Sequence, residues 1–154
     1  MTKLKVTVVG GSCGEDCSFP RSLVYRGSGM RAASILSGLG HDTNLVTVHG
    51  PPLGVEFSDI CERKGITLLA TVAPSDVWFR YRHPLSKPDI YPSIPPNVST
   101  PDGIVVDCAM VFGMIEGRPR VTAKRAVYDP QDGIRAKSFE DNGSHADELG
   151  RIHI

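Results

Sequence analysis

Between residues 4 and 72 the chain alternates short valine-rich stretches with amphipathic ones that end on glycine, and few folds accommodate that rhythm. "LKVTVV" (4–9) alternates like a buried strand and stops at Gly10-Gly11. "SLVYR" is a second, shorter strand candidate. Ala32, Ile35, Leu36 and Leu39 then recur at helical spacing, with Gly40 as the C-terminal stop. "TNLVTVHG" reads as the next strand. Phe57, Ile60 and Cys61 mark one face of a helix from about Val55 to Lys64, closed by Gly65, and "ITLLATV" follows as a strand. Strands and helices alternating at this spacing predict an α/β fold, Rossmann-like, with a mostly parallel sheet and flanking helices.

The rhythm breaks after residue 76. "VWFRYRHP" (77–84) sets Val77, Phe79 and Tyr81 against Trp78, Arg80 and Arg82, a strand with two unlike faces suited to covering a ligand or a partner subunit as a small β lid. Six of the twelve prolines fall in residues 84–101, which predicts an extended loop. "GIVVDCAMVFG" and "RAVYDPQ" read as two further core strands. "GSHADELG" reads as a short helix capped by Ser144, and "RIHI" as the start of another strand. With 154 residues and 40% hydrophobic content, one domain over residues 1–154 is expected.

Charge and cysteine usage narrow the partners. Seventeen Lys and Arg balance seventeen Asp and Glu, so no electrostatic pull toward nucleic acid or an anionic membrane is expected. No stretch has the length of a membrane span or the form of a signal peptide, and the reading is a cytoplasmic protein. Cys13, Cys17, Cys61 and Cys108 are expected as reduced thiols, and the scattered histidines predict no metal site.

The densest chemistry lies at the glycine turn. Gly27-Ser28-Gly29-Met30-Arg31-Ala32 fits G-x-G-x-x-G/A, a pattern that brings backbone close to a ligand at a helix N-terminus. An NAD-type oxidoreductase is disfavoured. The turn lies some twenty residues after the first strand, and the strand that follows ends in His49-Gly50 without a carboxylate. A Walker loop is absent from the chain. The alternative to a ligand seat is a glycine-eased strand-to-helix turn that binds nothing. In "GGSCGEDC" the acids Glu15 and Asp16 follow the first strand, where ligands of open α/β sheets collect. Either acid accepts hydrogen bonds from hydroxyls, with Asp16 preferred, and the glycine turn donates them, which together make a cradle for a polyol.

The order of these elements resembles the N-terminal half of the ribokinase-like (PfkB) sugar and nucleoside kinases. "RGSGMRAASILSGLG" is similar to the family's GG-x-G-x-N followed by a small-residue helix, "VTVHGPPLG" to its V-G-x-D-x-x-G corner, "ERKGIT" to the segment before its lid, and "AVYDPQ" to its strand ending in D-P-N. The resemblance covers nearly the whole chain. It implies a ribokinase-like fold, ATP and Mg²⁺ as cofactors of the intact enzyme, phosphoryl transfer to a substrate hydroxyl, and a sugar or nucleoside held by Asp16, Gly27, Ser28, Gly29 and Arg31. Arg31 stands where the family has asparagine, which opens the site to a substrate bearing an anion. Pro51-Pro52 replaces the acids common at the corner. The family's N-x-x-E and G-A-G-D motifs, with the catalytic aspartate and the nucleotide pocket, do not occur, so the chain reads as truncated and no catalytic residue is assigned. A homo-oligomer or a complementing C-terminal half is the expected partner, and a non-catalytic sugar- or nucleoside-binding or regulatory module is the alternative function.

Overall fold

The computed structural model describes residues 2–93, 98, 100, 103–131 and 137–151. Its frame is a six-stranded sheet of β1 (Lys5–Val9), β4 (Asp42–His49), β5 (Thr67–Val72), β8 (Ile104–Phe112), β9 (Val121–Asp129) and β10 (His145–Arg151), in the order β10-β9-β8-β1-β4-β5. All five pairings are parallel, from Lys5 opposite Asp42 through to His145 opposite Thr122. A second sheet, ordered β3-β2-β6-β7, joins β2 (Gly14–Cys17), β3 (Ser22–Tyr25), β6 (Trp78–Tyr81) and β7 (Asp89–Tyr91). Helix α1 (Gly27–Gly38) leads from β3 of the second sheet to β4 of the main one, and α2 (Pro51–Lys64) crosses over between β4 and β5 within the main sheet.

Alternation along β1 explains why the main sheet has a core on each face. Val8 joins Leu45, Met30, Ala33, Leu53 and Phe57 beneath α1 and α2. Its neighbour Val9 points the other way and joins Val46, Val111, Val121, Tyr128 and Phe139. Phe57 is fully buried, which contributes about 2 to 3 kcal/mol by removal of its ring from water. The α/β fold with its parallel sheet is therefore the one the strand–helix rhythm implies.

Four local readings need correction. Residues 145–151 form strand β10, not a helix. Ser144 does not cap a helix there; its hydroxyl accepts the Val121 N–H at 3.0 Å, and Asn142 Oδ1 holds the serine in place at 2.7 Å. Pairing of six of its seven residues with β9 outweighs a capping signal that is only local. The single turn of 3-10 helix at Phe139–Asn142, whose capping box is Ser138 with Asp141, comes just before it. The acidic turn after β1 is strand β2. The proline-rich stretch contains β7, whose Tyr91 ring stacks under Arg80 at 4.9 Å; residues 94–97, 99, 101 and 102 of that stretch, like 152–154 of "RIHI", lie outside the described residues. Helix α2 begins at Pro51, four residues before the apolar pattern shows it, because Pro51 and Pro52 fill N-terminal positions where no amide hydrogen is required.

Candidate functional site

Strand order locates the site before any side chain is considered. The chain leaves β1 toward β4 on one side and leaves β8 toward β9 on the other, so the order reverses between β1 and β8. In open parallel sheets the crevice beyond the carboxyl ends at such a reversal is where ligands bind. The segments leaving those two strands are Gly10 to Cys13 and Gly113 to Glu116, and both come together with the start of α1.

Backbone approach at this point is close enough to require glycine. A Cβ on Gly10 would lie 2.9 Å from Gly29 Cα, and one on Gly29 would lie 2.6 Å from the Gly10 carbonyl oxygen. Gly27, with φ of +78°, would drive a Cβ into the Gly11 carbonyl. The Gly29 N–H donates to that same carbonyl at 3.1 Å, so Gly29 seats the helix against β1 and has no amide hydrogen to offer a ligand. The amides of Gly27 and Ser28 have no acceptor among the described residues, and no side chain caps the helix. Of the sequence-derived donors, Gly27 and Ser28 keep theirs free.

The two acids part company because β2 is a strand. Register with β6 puts Glu15 on the face of Phe79 and Tyr81, and Asp16 on the face of Trp78 and Arg80. Asp16 pairs with the exposed Arg21 at 2.8 Å, whereas Glu15 is 13% exposed and faces α1. Its Oε1 accepts from Arg31 Nη2 at 2.5 Å, and its Oε2 takes Arg26 Nε and Nη2, each at 3.1 Å. The structure thus brings Glu15 and Arg31 together at the glycine turn and sets Asp16 on the opposite face of the second sheet. Trp78 shares the strand face of Asp16, edge-on to Tyr25 at 6.0 Å and directly over Gly14, and both rings pack against the core beneath α1 and α2.

Glu116 is a participant that sequence reading missed. It is 3% exposed, and its carboxylate oxygens stand 3.2 and 3.3 Å from where a Gly11 side chain would begin. Burial pushes its carboxyl above the ordinary 4.5, opposed by hydrogen bonds from its own N–H and that of Ile115. Burial, with help from Glu15 and Glu116, also drives the Cys13 thiol up to about 12, so Cys13 sits as a neutral group between the two acids. Only the spacing of Gly113 and Glu116 after an apolar strand hinted at this, and that is too common a pattern to single out.

The proline corner is structural. Asp76, in the segment leading to β6, accepts the Leu53 N–H at 3.2 Å and so supplies from a distance the carboxylate missing at the start of α2. Burial raises its carboxyl above the ordinary range as well. Among the described residues no cluster of three or more His, Cys, Asp or Glu could hold a metal ion, and no helix is long and apolar enough to cross a membrane.

No family model matches the sequence, and no curated protein does. Among solved structures, one similar chain is a pyrophosphate-dependent kinase of the ribokinase family seen in complex with sulfate, with TM-score 0.54 and 14% identity over 89% of this chain and 53% of that one. Another, a pyrophosphate-dependent kinase of the ribokinase family bound to a pyrophosphate analog and myo-inositol, gives TM-score 0.50 and 12% identity over 98% of this chain and 73% of that one. The class this defines is the ribokinase-like kinase fold. This chain has that fold and spans about half the length of the first of these proteins.

Proposed function

We propose that the chain is the acceptor-binding half of a ribokinase-type phosphotransferase, taking a sugar or nucleoside whose hydroxyl receives a phosphoryl group in the intact enzyme. The observation that carries this reading is the convergence of Glu15, the start of α1 and Glu116 at the reversal between β1 and β8. Carboxylates accept from hydroxyls, and the amides of Gly27 and Ser28 donate to them. The N-terminal end of α1 adds partial positive charge. Gly29 contributes through close packing and Arg31 through its charge, while Glu15 takes the contact role in preference to Asp16.

The donor is a separate matter. The resemblance implies ATP with Mg²⁺, and the similar solved proteins are pyrophosphate-dependent. Among the described residues no cluster of three or more His, Cys, Asp or Glu could hold a metal ion, and no chemical step is routed through metal or donor. This chain's own contribution is binding and orientation of the acceptor. Calorimetry with ribose, myo-inositol, adenosine and NAD, followed by a transfer assay with ATP or pyrophosphate as donor, tests the reading. Binding of a polyol or nucleoside that weakens in Glu15→Gln is the expected result. Tight NAD binding, or indifference to every hydroxyl-rich probe, contradicts it.

A further inference from the structure

Resting on the acceptor site proposed above, we infer that Arg26 and Arg31, held side by side by Glu15, read a phosphate or carboxylate carried by the acceptor itself. Two guanidinium groups converge on one carboxylate, so the cluster keeps one uncompensated positive charge. Glu15 engages Arg26 through Nε and Nη2 and Arg31 through Nη2 alone. Arg26 Nη1 and Arg31 Nε and Nη1 have no acceptor among the described residues. The arginine side chains are 45% and 50% exposed while the glutamate is 13% exposed. A mostly shielded acid thus fixes the orientation of two half-exposed cations that keep further N–H donors.

Position favours the acceptor as the source of the anion. Arg31 opens the second turn of α1, whose first turn contains no acid to cancel the positive end of the helix, and Arg26 is the residue immediately before that helix. The two arginines thus flank Gly27 and Ser28 in the chain, and their shared hold on Glu15 keeps both guanidinium groups at this end of α1. A planar guanidinium with two parallel N–H groups matches phosphate and carboxylate geometry, which a neutral asparagine at position 31 could not reproduce.

The test is a comparison of paired probes on the 154-residue chain: ribose against ribose 5-phosphate, and glucose against gluconate, with inorganic pyrophosphate alone as a third arm. The expected result is a preference for the anionic member of at least about tenfold, falling toward unity in Arg31→Gln and in Arg26→Gln. Circular dichroism of each variant confirms that it folds. Equal affinity within each pair overturns this inference and leaves the acceptor site standing. Pyrophosphate binding that depends on Arg31 without any preference among the sugars also overturns it, assigning the arginines to the donor. Failure of every probe overturns the acceptor site together with this inference.

Discussion

Arg31 Nη2 lies 2.5 Å from Glu15 Oε1, across the gap between the N-terminal half of α1 and strand β2. This pair ties the lid sheet to the main domain at the mouth of the crevice. Asp16, one residue on, has no such link and pairs with Arg21 at the surface. Glu15→Gln is therefore expected to weaken acceptor binding about tenfold or more, because a ligand hydroxyl loses a charged acceptor and two arginines lose their anchor. Asp16→Asn should change it by about threefold or less, in keeping with the small worth of exposed ion pairs. Equilibrium binding of both variants, measured side by side, checks the assignment.

The lid should depend on Gly14. A Cβ at that position would lie 2.6 Å from Trp78 Cδ2, within the ring itself, so Gly14→Val has to displace Trp78 or separate β2 from β6. Overpacking of this kind costs about 1 to 3 kcal/mol. Trp78 is the chain's single tryptophan, so its fluorescence reports the displacement directly. A red-shifted emission with a lowered unfolding midpoint is expected; an unchanged spectrum would show that the ring does not cover Gly14.

Much of this frame was legible in residues 4–72, where Val6, Val8 and Phe57 repeat at the periods of the elements they belong to; the stripe of Ala32, Ile35, Leu36 and Leu39 marks helix α1 but not its core face, since Ile35 and Leu39 are exposed and Met30 and Ala33 are buried. The misreadings share one physical origin. β2 is short and polar, with a glycine and two acids, and exists because β3 and β6 pair with its two edges; nothing within "GEDC" announces that. β10 was mistaken for a helix because Ser144 looks like a cap until Val121 is seen to claim its hydroxyl. The site divides the same way. Gly27, Ser28 and Arg31 are local to one turn and were readable there, whereas Glu116 meets Gly11 across more than a hundred residues. The choice between Glu15 and Asp16 turned on strand register, which the sequence of β2 alone does not specify.

Burial of Glu116 sets the sign of a pH effect. Its carboxyl holds a proton more firmly in the folded chain than in the unfolded one, whose ordinary value is 4.5. The unfolded chain therefore releases its proton first as pH rises. The stabilisation is fully present below 4.5 and is lost as pH climbs through the folded value, then levels off. Asp76 shifts in the same direction and contributes a parallel loss. Urea unfolding of wild type and Glu116→Gln from pH 4 upward should show the variant gaining relative to wild type as pH increases. A constant difference across that range would mean Glu116 is not held in the buried setting described.

The central claim, that unpaired amides opening α1 beside Glu15 hold the hydroxyls of a small molecule, is tested most directly by titrating the ¹⁵N-labelled chain with the tightest-binding sugar or nucleoside and following its amide resonances. The account requires the largest shifts at Gly27 and Ser28, with smaller ones at Glu15 and Glu116 and little change along β10. Saturable shifts centred elsewhere, with Gly27 and Ser28 unmoved, would contradict it.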